Sequence, residues 1–470
     1  MRRAEARALL LVSAAASILA ACASAPAYVA PSVAAPVAFK ETGPWTPAAP
    51  ADDQPRGDWW AVYGDPVLND LEARAAKANP GLAAATAAHD QAVALAGQAR
   101  SGLFPTIDGG ALASRQRRSD NAPLRNGGVD EYSTRQAVAS VSYEIDLWGR
   151  VRSQVAASGA QAQASAADLQ SVRLSLQAEL ADSYLALRGL DAQSRLLADT
   201  VAAYQKALDL TQIRHDGGAA TGLDVSRAKN QLSTAKAQLS DVAAQRALYE
   251  HAIAALVGET ASSFDLPPVQ ASLSVPKTPV GVPSLLLQRR PDIAAAERRA
   301  AAANAQIGVA QAARFPTLTI AGQAGWQSDG GVDLFSAPNA VWLLAPQLAG
   351  SIFDAGKRMA GVEAARAAHA QAAENYRGVV LAAFRNVEDQ MALSNRLADE
   401  AQDQDDAMAS AKRTEELAMI RYRQGAANYL EVVTAQTAAL QAERSALVLE
   451  TRRLQASVDL VRALGGGPAV

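Results

Sequence analysis

The chain has 470 residues, 49% of them apolar but only 5% aromatic, and a formal net charge of −3. The length suits two domains of ordinary size, and the charge gives no electrostatic footprint for nucleic acid. Much of the apolar content is alanine, which suits long helices packed through small residues better than one bulky core. Nothing is arranged for catalysis. The four histidines (His89, His215, His251, His369) are scattered and read as solvated helix residues, no glycine loop precedes a phosphate-binding lysine, and the five methionines do not cluster.

The first residues form a basic n-region, Met1-Arg2-Arg3 with Arg7, followed by an apolar stretch from Ala8 to Leu19. That stretch is too short to span a bilayer as a mature helix. Leu19-Ala20-Ala21-Cys22 matches the bacterial lipoprotein signal, in which small residues fit the protease subsite and the thiol becomes a thioether to diacylglycerol. Residues 1–21 are thus expected to be a signal peptide and Cys22 the lipidated residue. Cys22 is the only cysteine, so no intramolecular disulfide is possible even in an oxidising compartment. Alanine at position 23, where retained lipoproteins carry aspartate, implies passage to the outer membrane. Residues 22–58 are rich in Pro and Ala (Ala30-Pro31, Ala35-Pro36, Thr46-Pro47, Ala49-Pro50) and are expected to be an extended tether.

Beyond the tether the sequence repeats itself. Leu103-Phe104-Pro105-Thr106-Ile107 recurs as Arg314-Phe315-Pro316-Thr317-Leu318, a separation of 315 − 104 = 211 that also relates Pro80 to Pro291. Ile213-Arg214-His215-Asp216-Gly217-Gly218-Ala219-Ala220 recurs as Ile420-Arg421-Tyr422-Arg423-Gln424-Gly425-Ala426-Ala427. Leu223-Asp224-Val225 recurs as Leu430-Glu431-Val432, where the separation is 431 − 224 = 207. A period this long marks a duplicated domain rather than a solenoid. The repeats are assigned to 59–270 and 271–470.

Each half follows one plan of helix, two strands, very long helix, turn and helix. In the first half a helix is expected at about 81–102, broken at Phe104-Pro105, and a strand at about 106–114. The returning strand places Ala137, Ala139, Val141, Tyr143 and Ile145 on one face and Ser140, Ser142, Glu144 and Asp146 on the other. A membrane β-barrel needs that period of two, although a soluble surface hairpin shows it too. In the second half Leu318, Ile320, Ala324 and Trp326 alternate with Thr317, Thr319 and Gln323, and a fourth strand is expected from Val341 to Phe353 despite Pro346.

From Arg150 to about His215 there is no proline and only two glycines, Gly159 and Gly189. A helix of that length rises roughly 100 Å. Leu169, Leu176, Leu190, Leu197 and Tyr204 share one seven-residue register, and Leu180, Leu187, Val201 and Leu208 share a second, which favours left-handed supercoiled packing. Lys357 to about Arg423 matches it in length. Return helices are expected at about 222–257 and 429–464, each after a glycine turn. Four membrane strands cannot stand alone, because their edges would leave backbone groups unpaired in lipid at several kcal/mol each. Two copies would make a barrel filled by its own side chains, and three copies are the smallest ring expected to hold water.

Three ordered motifs carry a family resemblance. They are Trp59-Trp60-Ala61-Val62-Tyr63-Gly64-Asp65-Pro66-Val67-Leu68, Tyr143-Glu144-Ile145-Asp146-Leu147-Trp148-Gly149-Arg150-Val151-Arg152, and Leu286-Leu287-Gln288-Arg289-Arg290-Pro291-Asp292-Ile293 with Glu297. With them the chain resembles the TolC-like outer-membrane factors, in the lipoprotein branch that works with resistance–nodulation–division pumps, over about 59–465. The resemblance implies a mainly α protein with membrane β strands, acting as a homotrimer. Its twelve-stranded β-barrel would lie in the outer membrane of a Gram-negative bacterium, continued by a twelve-helix α-barrel in the periplasm. It implies a passive exit duct for small molecules, with no cofactor beyond the lipid on Cys22. The implied partners are outer-membrane lipid, a periplasmic membrane-fusion adaptor and an inner-membrane pump. It places Gly218, Ala219, Ala220, Thr221, Gly425, Ala426, Ala427 and Asn428 at adaptor-contacting tips. It also places Tyr422, Glu431 and Asp224 at a periplasmic constriction, where a ring of Glu431 would favour cations. Thr434 and Ala427 depart from the family's second acidic and its basic position. Type I protein secretion and a periplasmic coiled-coil scaffold are the competing readings. Arg289-Arg290 beside Pro291-Asp292 is read as local pairing and capping rather than an anion site.

Overall fold

The computed structural model describes residues 26–33, 36, 38–41, 57–119, 121, 131–269, 274–276, 289–329 and 333–466. The signal segment, Cys22, much of the tether and Leu286-Leu287-Gln288 lie outside them. A 3-10 turn at Trp59–Tyr63 leads into α1 (Pro66–Ala78). Asp65 caps α1 by accepting from Val67 N at 2.8 Å, and Pro66 sits at the first position, where a missing N–H costs nothing. There follow α2 (Pro80–Ser101), β1 (Thr106–Arg117), β2 (Glu131–Ile145), α3 (Arg150–Asp216) and α4 (Gly222–Leu256). The second half gives α5 (Pro291–Ala312), β3 (Thr317–Ser328), β4 (Ala340–Ala349), α6 (Lys357–Arg423) and α7 (Tyr429–Ala463). The long helices α3 and α6 have 67 residues each, and the return helices α4 and α7 have 35 each. No described helix is long and apolar enough to cross a membrane.

The described residues form two compact units that cut across the repeats, each half contributing to both. The unit built on 88–166 and 295–377 holds one four-stranded antiparallel sheet in the order β1-β2-β3-β4. β4 stops at Ala349, short of the expected Phe353, and Gly350 to Phe353 are exposed. The N-terminal segment also meets this unit. Asn304 Nδ2 donates to Pro26 O at 2.8 Å and Tyr28 Oη donates to Glu297 O at 3.2 Å. His89 Nδ1 and His369 Nε2 are buried atoms without a hydrogen-bond partner, so these two rings are half-buried rather than solvated.

The unit built on 33–87, 167–294 and 378–470 carries the helical core. Trp59, Trp60, Tyr63, Leu68 and Leu71 pack with Leu180, Tyr184, Leu187, Ile253 and Val458. The opening motif is therefore a plug on the long helices, tied down by a Tyr63–Ser457 hydroxyl pair at 2.6 Å. Both seven-residue registers face inward: Leu176, Leu190, Leu197 and Tyr204 are buried, as are Leu180 and Leu187. Gly189 lets α3 approach α7, since a Cβ there would stand 2.2 Å from Thr451 Oγ1. Gly189→Ala is expected to destabilise by about 1–3 kcal/mol, the usual cost of overpacking, read as a lower urea midpoint.

A buried charge network closes the end of α4. Asp191 accepts from Arg188 at 2.8 Å and from Arg246 at 2.7 Å, and Arg246 also meets Glu250 at 2.6 Å. The same guanidinium groups donate to Pro267 O and Leu266 O, while Leu266 N donates to Glu250. The segment after α4 is thus strapped down by charge. The tether is docked elsewhere on this unit: Lys40 N and Glu41 N donate to the two Glu388 carboxylate oxygens, and Phe39 packs with Phe384, Val387 and Met391.

Candidate functional site: an apolar sheet face and two helical turns

The strand registers decide which side chains share a face. Ile107 pairs with Val141, Val141 with Gly322, and Gly322 with Leu344, so odd positions of β1 and β2 share a face with even positions of β3 and β4. That face reads Ile107, Gly109, Ala111 and Ala113 on β1, then Ala137, Ala139, Val141, Tyr143 and Ile145 on β2, with Arg115, Arg117, Glu131, Ser133 and Arg135 on it toward the hairpin end. It continues as Leu318, Ile320, Gly322, Ala324 and Trp326 on β3, and Trp342, Leu344, Pro346 and Leu348 on β4. The opposite face carries Asp108, Ser114, Gln116, Ser140, Ser142, Glu144, Thr317, Thr319, Gln323, Gln327 and Gln347, together with Leu112, Val138, Val341 and Leu343. Away from the hairpin ends of β1 and β2 this face is an apolar band, backed by a mostly polar face on β1 to β3, which is the pattern of a wall between lipid and water. Trp342, Leu344, Leu348 and Ile107 are exposed on it. Pro346 falls on β4, the last strand of the sheet, and has no N–H to give to a neighbouring strand.

The strand-to-helix motif works as a joint. Asp146 caps α3 by accepting from Val151 N at 3.1 Å and Arg152 N at 2.9 Å. Arg150 grips Glu144 through two bonds at 2.6 and 2.8 Å. Trp148 stacks on Phe315 with centroids 4.7 Å apart and donates its Nε1–H to Pro316 O at 2.7 Å. The two Phe-Pro repeats are thus used differently: Phe315 has its aromatic partner, whereas Phe104 is 63% exposed.

In the helical unit both predicted turns are built alike. Gly218 and Gly425 adopt φ of +77° and +74°, a left-handed conformation that closes the C-termini of α3 and α6. Thr221 then caps α4 in a capping box with Asp224, and Asn428 caps α7 by accepting from Glu431 N at 3.0 Å. Asp224 therefore spends its carboxylate on Thr221, accepting from its N–H at 3.1 Å and its hydroxyl at 2.8 Å. Glu431, 41% exposed in its side chain, accepts instead from Arg421 Nη1 at 2.8 Å. Tyr422 is buried, tilted against Tyr429 with centroids 5.4 Å apart and 3.5 Å from Thr211 Oγ1. Arg214 lies over its ring at 4.4 Å and donates to Tyr422 O and Arg423 O, capping α6 from the other hairpin. His215 Nδ1 sits 3.0 Å from Ala220 O, inside its turn. Arg290 pairs with Asp292 and donates to Ala463 O, so the predicted local pairing holds and also caps α7.

A family model described as outer membrane efflux protein matches residues 71–259 and 282–466. The chain belongs to that family. It is 33% identical over 466 residues to the pyoverdine export outer membrane protein OpmQ of Pseudomonas aeruginosa, covering 96% of this chain and 95% of that one. The toluene efflux pump outer membrane protein TtgF of Pseudomonas putida is 33% identical, over 87% of this chain and 85% of its own. Among solved structures, the outer-membrane channel OprN superposes with a TM-score of 0.87 at 28% identity, covering 95% of this chain and 99% of OprN. The protein is an outer-membrane efflux channel and a passive conduit rather than an enzyme.

In this efflux channel the residues singled out from sequence gather on the two turns, with Cys22 outside the described residues. Gly218, Ala219, Ala220 and Thr221 form one turn, and Gly425, Ala426, Ala427 and Asn428 the other. Sequence reasoning missed Arg421 and Arg214. Their only signal was the repeated Ile-Arg dipeptide, Ile213-Arg214 and Ile420-Arg421, which put an arginine at the same point of each turn. Among the described residues no group of three or more His, Cys, Asp or Glu could hold a metal ion.

Proposed function

We propose that three copies of this chain close into a twelve-stranded barrel in the outer membrane, continued by a twelve-helix tunnel in the periplasm. The duct carries small molecules, including drugs and toxic compounds, outward from an inner-membrane pump of the resistance–nodulation–division type. A periplasmic membrane-fusion adaptor joins the two. The observation that carries this reading is the sheet: an apolar band crosses all four strands, yet the outer edges of β1 and β4 have no partner strand. Such edges are untenable in lipid unless further copies pair them. The names of OpmQ and TtgF as export and efflux-pump components support the pump partnership. Cys22 carries the lipid, anchoring the chain beside the barrel. The two glycine turns are the tips that meet the adaptor.

Near those tips Asp224 and Glu431 form the constriction, with Tyr422 buried behind them against Tyr429. A threefold repeat of Glu431 places like charges together, each balanced by its own Arg421. Glu431→Ala is expected to raise single-channel conductance and to weaken cation selectivity, because it removes the acid and frees Arg421. Unchanged conductance and selectivity would take Glu431 out of the constriction. The reading as a whole is tested by heat-sensitive gel mobility and planar-bilayer conductance of the detergent-extracted protein. A trimer with discrete conductance is the expected result. A soluble elongated species without conductance would overturn the barrel and put the scaffold reading first.

A further inference from the structure

We infer that β4 of one copy pairs with β1 of the next in one definite register, with Ile352 opposite Ile107, and that this joint turns Gly350 to Ile352 into strand. The inference rests on the barrel reading above and adds the joint that closes it. Its basis is the internal repeat. β1 and β3 are related by 211 residues along their whole length, since Thr106–Arg117 maps onto Thr317–Ser328 (106 + 211 = 317; 117 + 211 = 328). The first hairpin pairs Thr106 with Ser142 and the second pairs Thr317 with Ala349, so β2 and β4 are related by 349 − 142 = 207. The same 207 separates the turns that follow, so the correspondence runs unbroken from strand to helix.

Within one chain β2 has partners on both sides, and β4 has only β3. Residues Tyr143, Glu144 and Ile145 pair with β3 alone, because β1 reaches no further than Ser142. Their counterparts are Gly350, Ser351 and Ile352 (143 + 207 = 350; 145 + 207 = 352). These three are the residues that fail to form strand, and they lie at the edge where β4 lacks its second neighbour. The shortfall of β4 is therefore the footprint of an absent strand.

The β2–β3 joint supplies the missing register. Ile145 opposite Leu318 becomes Ile352 opposite Ile107 of the next copy (318 − 211 = 107). Arg135 opposite Ser328 becomes Trp342 opposite Arg117 (135 + 207 = 342; 328 − 211 = 117). Between them Ala345 stands opposite Ser114 and Leu348 opposite Ala111. This register sets apolar face against apolar face, whereas a slip of one residue would turn lipid-facing side chains into the lumen. It also resolves two stranded rings. Phe104 is 63% exposed and Phe353 86% exposed. The register puts Phe353 opposite Thr106 of the neighbour, diagonal to its Phe104 and within reach of an aromatic contact.

The test is a set of double-cysteine variants of the full-length lipoprotein, combining Ser114→Cys with Leu343→Cys, Ala345→Cys or Gln347→Cys. Each is oxidised in outer membranes and run on non-reducing gels beside the parent. Strands β1 and β4 lie at opposite edges of one sheet, so any linkage is between copies. Strongest linkage with Ala345→Cys, at least tenfold over the other two, is expected. Strongest linkage with Leu343→Cys or Gln347→Cys in a protein that still runs as a heat-sensitive oligomer would overturn the register and leave the barrel standing. No linkage in a monomeric species would overturn the barrel reading itself. Amide exchange of the unmodified protein checks the same joint without substitution. Protection of Ser351 and Ile352 comparable to Glu144 and Ile145 is expected, and loop-like exchange there would overturn the joint.

Discussion

Asp191→Ala is expected to destabilise the helical unit by about 3–5 kcal/mol, the usual cost of leaving a buried charge without its partner. Asp191 is 4% exposed and is shared by Arg188 and Arg246. Arg188 is itself 6% exposed, and its Nε and Nη2 already lack partners, so Asp191 is the acid that makes its burial tolerable. Loss of that carboxylate also leaves Arg246, whose bond to Leu266 O straps down the segment after α4, with Glu250 alone of its two acids. The change should appear as a lower urea midpoint of the helical signal and as earlier proteolysis between residues 259 and 269. A midpoint within about 0.5 kcal/mol of the parent, the scatter of ordinary surface changes, would make the network a bystander.

The second large effect lies in Glu72, which is 2% exposed in α1, with neither carboxylate oxygen hydrogen-bonded. Burial, with a smaller push from Asp58, raises its pKa from 4.5 to about 9. Because the folded value lies above the unfolded one, the folded state holds a proton that the unfolded state has released between those limits. Stability from this group is therefore full below pH 4.5 and falls as pH rises toward 9. At pH 7 the penalty is about 3 kcal/mol, and at pH 5 less than about 1 kcal/mol. Glu72→Leu should remove it, raising the urea midpoint at neutral pH and flattening the fall toward alkaline pH. Asp182, pushed up to about 7 by burial and by Asp459, acts in the same direction over a lower range. A variant with the parent's pH slope would show that Glu72 reaches solvent in the assembled protein.

The long helices were legible in the sequence because a proline-free run with a seven-residue register has no competing structure. The strands were legible because the pleat alternates, and because the Phe-Pro pairs mark where each hairpin begins. The end of β4 was not, since the apolar pattern runs on to Phe353 whereas pairing with β3 stops at Ala349. The tether was read as extended chain from its composition. Its docking depends on Asn304, Glu297 and Glu388, each more than 250 residues away in the chain. Distance in sequence also hid the Arg188–Asp191–Arg246 network. At the turns the glycines and caps were readable one by one. Arg214 and Arg421 were not, because what matters is the carbonyl or carboxylate each reaches across a turn.

The change of offset from 211 to 207 falls wholly between the two strands of each hairpin. All four residues by which the halves differ in length over this span are thus taken up in one outward connection, while strands, joints and turns keep their correspondence. The outward connections are where this protein has already absorbed an insertion or deletion without disturbing its wall. In the barrel proposed above they are accordingly the positions expected to accept a foreign peptide tag while the conduit stays intact.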